Sequence, residues 1–230
     1  MSPETTIEDI TGLLELWVAG WAGCRGYRTS TEGRFPAALR SESSGDWEFF
    51  AADPSDAEFA ELAAKVAVAP AMVLTILTND TARYARLAQQ HGLNVTSDSQ
   101  TMMIVDMETQ DAEDPWLPDD DLELSTSETD GVHYAEVRSG ETIAASGRLF
   151  VVGNTAVFDK IVTDPAFQRR GLGSFIMRAL AAQAFGHDVL NGLLLASTDG
   201  QKLYSHLGWT AVSRVLMLSA DHDGGDLSLS

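Results

Sequence analysis

The most constraining stretch of this chain is Ile161-Val-Thr-Asp-Pro-Ala-Phe-Gln-Arg-Arg-Gly-Leu-Gly-Ser-Phe-Ile-Met-Arg. An apolar β-branched run ends at Thr163, and Pro165 forbids its continuation as a central strand. The turn Gln168–Gly173 then feeds directly into a helical pattern running to about Phe185. Two glycines at a helix start let backbone N–H groups converge without obstruction, where the helix dipole also favours an anion. Arg169 and Arg170 add positive charge there, in a chain otherwise short of it. The segment predicts a strand, an anion-binding loop and a helix in immediate succession.

The rest of the chain supplies the setting. Its 230 residues suffice for one large domain or two small ones. Residues 108–121 join two prolines to a dense acidic run, which disfavours helix interior and central strand alike. This places a linker at 108–121 between an N-terminal domain, 1–107, and a C-terminal domain, 122–220, with 221–230 as a flexible tail. The halves share a weak repeat. Arg86-Leu-Ala-Gln-Gln-His-Gly-Leu-Asn-Val precedes Thr101-Met-Met-Ile-Val, as Lys202-Leu-Tyr-Ser-His-Leu-Gly-Trp-Thr-Ala-Val precedes Val215-Leu-Met-Leu. Each reads as an amphipathic helix stopped by Gly and handed to an apolar strand.

In the first half the periodicity predicts helices over Ile7–Tyr27, Ser55–Val66 and Thr81–His91, with strands at Trp47–Ala52 and Met72–Thr78. In the second, Val132–Val137, Thr142–Val152 and Thr155–Thr163 read as an antiparallel meander. Strand-like Leu193–Ala196, a short helix at Asp199–His206 and a last strand at Thr210–Leu218 follow the Gln168–Phe185 helix. The order is that of an α+β layer.

The pattern Gln-x-x-Gly-x-Gly after a strand and Asp-Pro, followed by Leu203-Tyr204-Ser-His-Leu-Gly208-Trp209, resembles the GNAT superfamily of acyl-CoA N-acyltransferases over about residues 121–220. The resemblance implies two GNAT-like units of α+β class, each a mixed, bent sheet flanked by helices, the C-terminal one complete and the N-terminal one degenerate. It implies acetyl-CoA as co-substrate, and no metal. The backbones of Ile161, Val162 and Thr163 would hold the thioester and pantetheine, with the Ile161 N–H on the carbonyl oxygen. Gln168, Arg169, Arg170, Gly171, Leu172, Gly173 and Ser174 would bind the phosphates. Tyr204 would protonate the departing thiolate.

For the base that deprotonates the attacking amine, Asp159 is the candidate, two residues before Ile161 and so on the same face of a regular strand. Two departures stand out: Val157 where some members carry Glu, and Ser197 where many carry Asn. Nothing between residues 30 and 80 reproduces the phosphate loop, and Ala88 stands in the repeat where Tyr204 does. Trp17, Trp21 and Tyr27 are candidates either for core packing or for walling an acceptor pocket.

Thirty-four acidic against fifteen basic residues give a net charge of −19, which disfavours nucleic acid and anionic membrane surfaces and suits a cationic small amine. Lysine or N-terminal protein acetylation and a non-catalytic acyl-CoA sensor are the alternatives. Cys24 is the only cysteine and reads as a buried helix residue rather than a nucleophile. The five His lack zinc-ligand spacing along the chain. Neither a signal peptide nor a membrane span is apparent, so the expectation is a cytoplasmic monomer or homodimer.

Overall fold

The computed structural model describes residues 9–111, 117 and 119–220. Residues 112–116 and 118 of the proposed linker, the 221–230 tail and Ile7 therefore lie outside the described residues. Two compact units interleave along the chain. Unit 1 takes residues up to Val18, Tyr27–Met102 and the chain from Val212, and unit 2 takes Ala19–Gly26 and Met103–Ala211.

Helix α1 (Ile10–Arg25) contributes residues up to Val18 to unit 1 and the rest to unit 2, and unit 1 resumes with a hairpin of β1 (Arg28–Glu32) and β2 (Phe35–Leu39). Then come β3 (Trp47–Ala52), α2 (Asp56–Val66), β4 (Val73–Thr78) and α3 (Thr81–Gln90). α2 begins with a capping box, in which the Ser55 side chain accepts from the Glu58 N–H and Glu58 accepts from the Ser55 N–H. Asp80 caps α3 in the simpler way, accepting from the Arg83 N–H. β3 and β4 run parallel over five pairs, from Glu48↔Val73 to Ala52↔Leu77. Every residue of β4 is buried, as expected of a central strand covered on both faces. Phe59, Leu62 and Val66 of α2 and Tyr84 and Ala88 of α3 close the core over Leu74 and Ile76.

Unit 2 contains the antiparallel meander of β6 (Leu122–Thr129), β7 (Val132–Ser139), β8 (Thr142–Val152) and β9 (Thr155–Thr163). Then follow α4 (Leu172–Ala184), β10 (Asn191–Ala196) and α5 (Thr198–His206). α4 lays Phe175, Ile176, Ala179 and Leu180 on Ala135, Val137, Ala145 and Leu149, one apolar stripe against one sheet face.

α3 and α5 each stop just before a glycine in the left-handed region, Gly92 with φ +72° and Gly208 with φ +87°. The strand after each is β5 (Leu93–Asp106) and β11 (Thr210–Ala220). The repeat read from the sequence is thus a repeat of structure, strand–helix–strand–helix–Gly–strand. Its final strands are exchanged. Leu218 to Arg214 of β11 pair antiparallel with Leu74 to Thr78 of β4 in unit 1, while the Met103–Asp106 end of β5 belongs to unit 2, where β5 neighbours β10.

Each unit combines parallel and antiparallel strands with flanking helices, as the α+β reading expects. The sequence reading omitted β1, β2 and β6, and caught only the Thr101–Val105 end of β5. All five residues of β1 are exposed, β2 carries Pro36, and β6 buries only Leu122. β1 and β6 offer no buried face for an alternation argument to detect, whereas β2 buries Phe35, Ala37 and Ala38 but is only five residues long and interrupted by Pro36. No helix among the described residues is long and apolar enough to cross a membrane.

Candidate active site

The site is built where β9 ends. β9 pairs with β8 along most of its length but with β10 over only three parallel pairs, Thr155↔Asn191, Ala156↔Gly192 and Val157↔Leu193. β9 then runs on to Thr163 and β10 to Ala196, so the two strands part and the register between them ends at Val157. In unit 1 the corresponding strands β3 and β4 stay paired over five positions. Among the described residues, unit 2 thus leaves the end of β9 unpaired with β10 just before α4, where unit 1 keeps β3 and β4 paired.

A β-bulge sits on that edge. The β8–β9 register steps from Arg148↔Asp159 to Ser146↔Val162, so Lys160 and Ile161 together oppose Gly147, and Lys160 has φ +52°. Such an insertion bends the strand and re-aims its backbone groups. Gly147 makes the room: a Cβ there would lie 2.6 Å from Ile161 Cδ1 and 2.7 Å from Ile176 Cγ2. The Ile161 side chain therefore packs on the α4 side of the sheet. This corrects the expectation that Asp159 and Ile161 share a face, because the extra residue breaks the two-residue alternation between them.

Beyond β9, the Asp164 side chain accepts from the Ala166 N–H at 2.8 Å and nucleates a 3-10 turn over Pro165–Phe167. Arg169, with φ +64°, and Gly171, with φ +79°, then swing the backbone into α4. Gly171 occupies the N-cap and provides no side-chain cap, leaving the first-turn N–H groups to an external acceptor. The matching helix of unit 1 is sealed by its own Ser55–Glu58 box. That difference is the physical content of calling the first half degenerate.

Gly173 permits close approach, since a Cβ there would lie 3.1 Å from Leu203 Cδ2 and 3.8 Å from Thr163 Oγ1. The end of β9, the start of α4 and α5 thus converge at one residue. Gln168, Arg169, Arg170 and Val162 are exposed, Ile161, Thr163 and Ser174 half-buried, and Leu172 buried in the core, so Leu172 can offer only its backbone. Arg170 lies 3.5 Å from Asp119 and stacks over Phe167.

Replacing Gly171 by Val asks a β-branched residue to adopt φ +79°, a conformation L-residues resist by about 1–2 kcal/mol or more. Nothing surrounds the site of the new Cβ, so the fold should survive. If this loop holds the phosphates of an acyl-CoA, as the resemblance implies, Gly171→Val raises the KM for acetyl-CoA by about tenfold or more with Tm within a few degrees, checked by steady-state kinetics and thermal melting.

Tyr204 lies on α5, which is capped by Ser197 accepting from the Gly200 N–H at 3.1 Å. Ser197 is thus committed to the helix start. The Tyr204 ring is buried beside Trp209, which stacks edge-on with Phe158. Burial, helped by the nearby Asp159 carboxylate, pushes the Tyr204 phenol up to about 12. Both causes disfavour phenolate, so the group stays protonated through neutral and moderately alkaline pH.

Asp159 has a partner the sequence did not reveal. Arg25, 134 positions away at the end of α1, donates Nε and Nη2 to its two oxygens at 2.8 and 2.9 Å, a bidentate pair. The Ala19–Gly26 segment lies over this sheet face. A Cβ on Gly20 would fall 2.3 Å from Val157 Cγ2, a Cβ on Gly23 would collide with the Phe150 ring, and Arg148 donates to the Cys24 carbonyl. Val157, near which some members of the resembled superfamily carry Glu, is fully buried under that helix and offers no proton acceptor. Trp21 is buried with the Arg25 guanidinium 5.1 Å from its ring, and Trp17 and Tyr27 are buried as well.

Cys24 is 2% exposed, with its thiol 3.8 Å from the Val157 carbonyl. Burial, reinforced by Asp159 and opposed by Arg148 and Arg25, pushes its pKa upward. A buried protonated thiol is no nucleophile. An aromatic disulfide reagent should label native Cys24 at least about a hundredfold more slowly than the denatured chain; comparable rates would show that the thiol is accessible.

Comparison with known proteins follows the same residues. The model of the acetyltransferase (GNAT) family matches residues 101–209. Residues 101–209 are a GNAT acetyltransferase domain. No curated protein matches the chain. Among solved structures, a GCN5-related N-acetyltransferase from Kribbella flavida superposes with TM-score 0.68 at 12% identity, covering 95% of this chain and 97% of its own. A putative GNAT-family acetyltransferase from Novosphingobium aromaticivorans gives TM-score 0.58 at 14% identity, covering 91% and 97%. A tandem GNAT protein from the clavulanic acid biosynthesis pathway gives TM-score 0.58 at 12% identity, covering 84% and 79%. At such identities the likeness is one of fold. The fold extends over both halves, whereas the family match begins inside β5 and ends at Trp209. The family match is thus to residues 101–209, and its members are acetyltransferases that use acyl-CoA.

Proposed function

We propose that the protein transfers an acetyl group from acetyl-CoA to a primary amine of a small molecule, by direct attack within a ternary complex. The observation that carries this reading is the pairing of an open, bulged β9 edge with an uncapped α4 start and a buried, protonated Tyr204. The acyl donor takes its phosphates on the N–H groups from Gln168 to Ser174 and lays its pantetheine along Val162 and Thr163. The Ile161 N–H stabilises the oxyanion as the amine adds to the carbonyl. The new C–N bond forms, the C–S bond breaks, and Tyr204 protonates the departing thiolate, recovering its proton through water from the second proton that the nitrogen sheds as the amide forms.

Asp159 accepts the proton of the incoming ammonium through water. Bidentate Arg25 occupies one lone pair on each carboxylate oxygen and leaves the others available. The acceptor is small and cationic on this reading, because Ala19–Gly26 covers the sheet face at Val157 and Asp159 and the chain carries net charge −19.

The experiment is a competition between a panel of small primary amines and a lysine peptide for labelled acetyl. A kcat/KM for the best small amine at least about a hundredfold above the peptide's is expected, a ratio worth about 2.7 kcal/mol. Preference for the peptide would overturn the acceptor class.

A further inference from the structure

We propose that Glu128, His133 and His187 form a binding site for one divalent cation of the zinc class, separate from the acyl-transfer site. Thr129↔Val132 closes the β6–β7 hairpin across Asp130-Gly131, and the next register pair is Glu128↔His133. Directly opposed residues project from the same face, with Cβ atoms about 4.5–5.5 Å apart. His187 reaches them from the 3-10 turn Phe185–His187 that ends α4, its ring centroid 4.9 Å from that of His133.

One potential ligand atom from each residue lies within 4.8 Å of the other two. Glu128 Oε2 stands 3.8 Å from His133 Nδ1, too far for a hydrogen bond. Zinc bound at about 2.0–2.2 Å to tetrahedral N and O ligands holds them about 3.3 Å apart. Glu128 and His187 are exposed, while His133 is buried, so closing the set to metal-ligand distances asks for side-chain rotation at the two exposed positions.

The donor set of two imidazoles and one carboxylate selects Zn²⁺ or its borderline neighbours over Mg²⁺ and Ca²⁺, which prefer oxygen alone. Three protein ligands leave a fourth position for water. The 13 residues of α4 put about 20 Å between this cluster and the phosphate loop. Bound metal would tie the β6–β7 hairpin to the end of α4 and take no part in acyl transfer.

Chelator-stripped full-length protein would be titrated with Zn²⁺ against a chromophoric chelator, beside Glu128→Gln and His187→Ala. Both substitutions are at exposed positions, and melting curves without metal would verify that each variant is folded. The expected result is one tight equivalent per chain, affinity reduced at least about tenfold in each variant, and a zinc-dependent rise in Tm confined to wild type. Equal zinc affinity in wild type and both variants would assign binding to the acidic surface and overturn the proposal, as would no competition with the chelator at all.

Discussion

Tyr204→Phe should lower kcat by about 10²–10⁴, the usual contribution of a positioned general acid, while the affinity for CoA changes little. The substitution removes one hydroxyl from a buried ring and leaves its packing on Trp209 in place, so Tm should hold. The pH behaviour follows from the same burial. The phenol is pushed up to about 12 against an ordinary value of 10.0, so its proton is retained where an exposed tyrosine would begin to lose it. Wild-type kcat should therefore show no loss attributable to this acid until pH passes well beyond 10. For stability the sign is the same. A raised folded-state value contributes stability that is fully present below the unfolded value and lost as pH rises from about 10 through about 12. A Tyr204→Phe enzyme with unchanged kcat would remove the general-acid role.

Gly20→Val should be the most damaging single change to the structure beneath the site. A Cβ at Gly20 would lie 2.3 Å from Val157 Cγ2 and 2.5 Å from Val157 Cβ, far inside van der Waals contact, and valine adds two more methyl groups. Overpacking of this kind costs about 3 kcal/mol, or about 6–12 °C in Tm for a chain of this size. The helix must lift from β9 or bend the strand, and either movement disturbs Arg25 and Asp159. Acetyl transfer should fall with stability. Gly186→Ala is the matched control, because a Cβ there meets nothing and its φ is not positive; its effect should stay within about 0.5 kcal/mol. Adding Val157→Ala to Gly20→Val should recover part of the loss through coupling between touching residues. Equal melting temperatures for Gly20→Val and Gly186→Ala would contradict the close seat of the helix on β9.

These two tests also mark what the sequence could and could not reveal. The loop between β9 and α4 was legible because Pro165, Gly171 and Gly173 punctuate the chain for local backbone reasons, and local reasons act at short range. Tyr204 was legible because it lies on a short helix ended by a glycine, at a fixed offset before Trp209. The Asp159–Arg25 pair was not, since its members are 134 residues apart and no periodicity links them.

The bulge at Lys160 was hidden for another reason. No glycine marks it on β9; the small residue that permits it, Gly147, lies on the opposing strand, so a one-strand reading imposed an alternation the sheet does not keep. The exchange of final strands was equally silent. β5 and β11 carry similar apolar runs after similar glycine-capped helices, and nothing local states which sheet each one joins. The Glu128, His133 and His187 cluster escaped notice because its members come from two strands and a turn, whereas zinc spacing rules describe ligands close in sequence.

Mixing the protein with labelled acetyl-CoA, with and without a reactive small amine, and following both free thiol and the acetylated product tests the central claim most directly. The account predicts amine-dependent thiol release with one acetyl group recovered on the amine nitrogen for each thiol formed. Thiol release indifferent to the amine, or a chain that does not bind CoA at all, would contradict it.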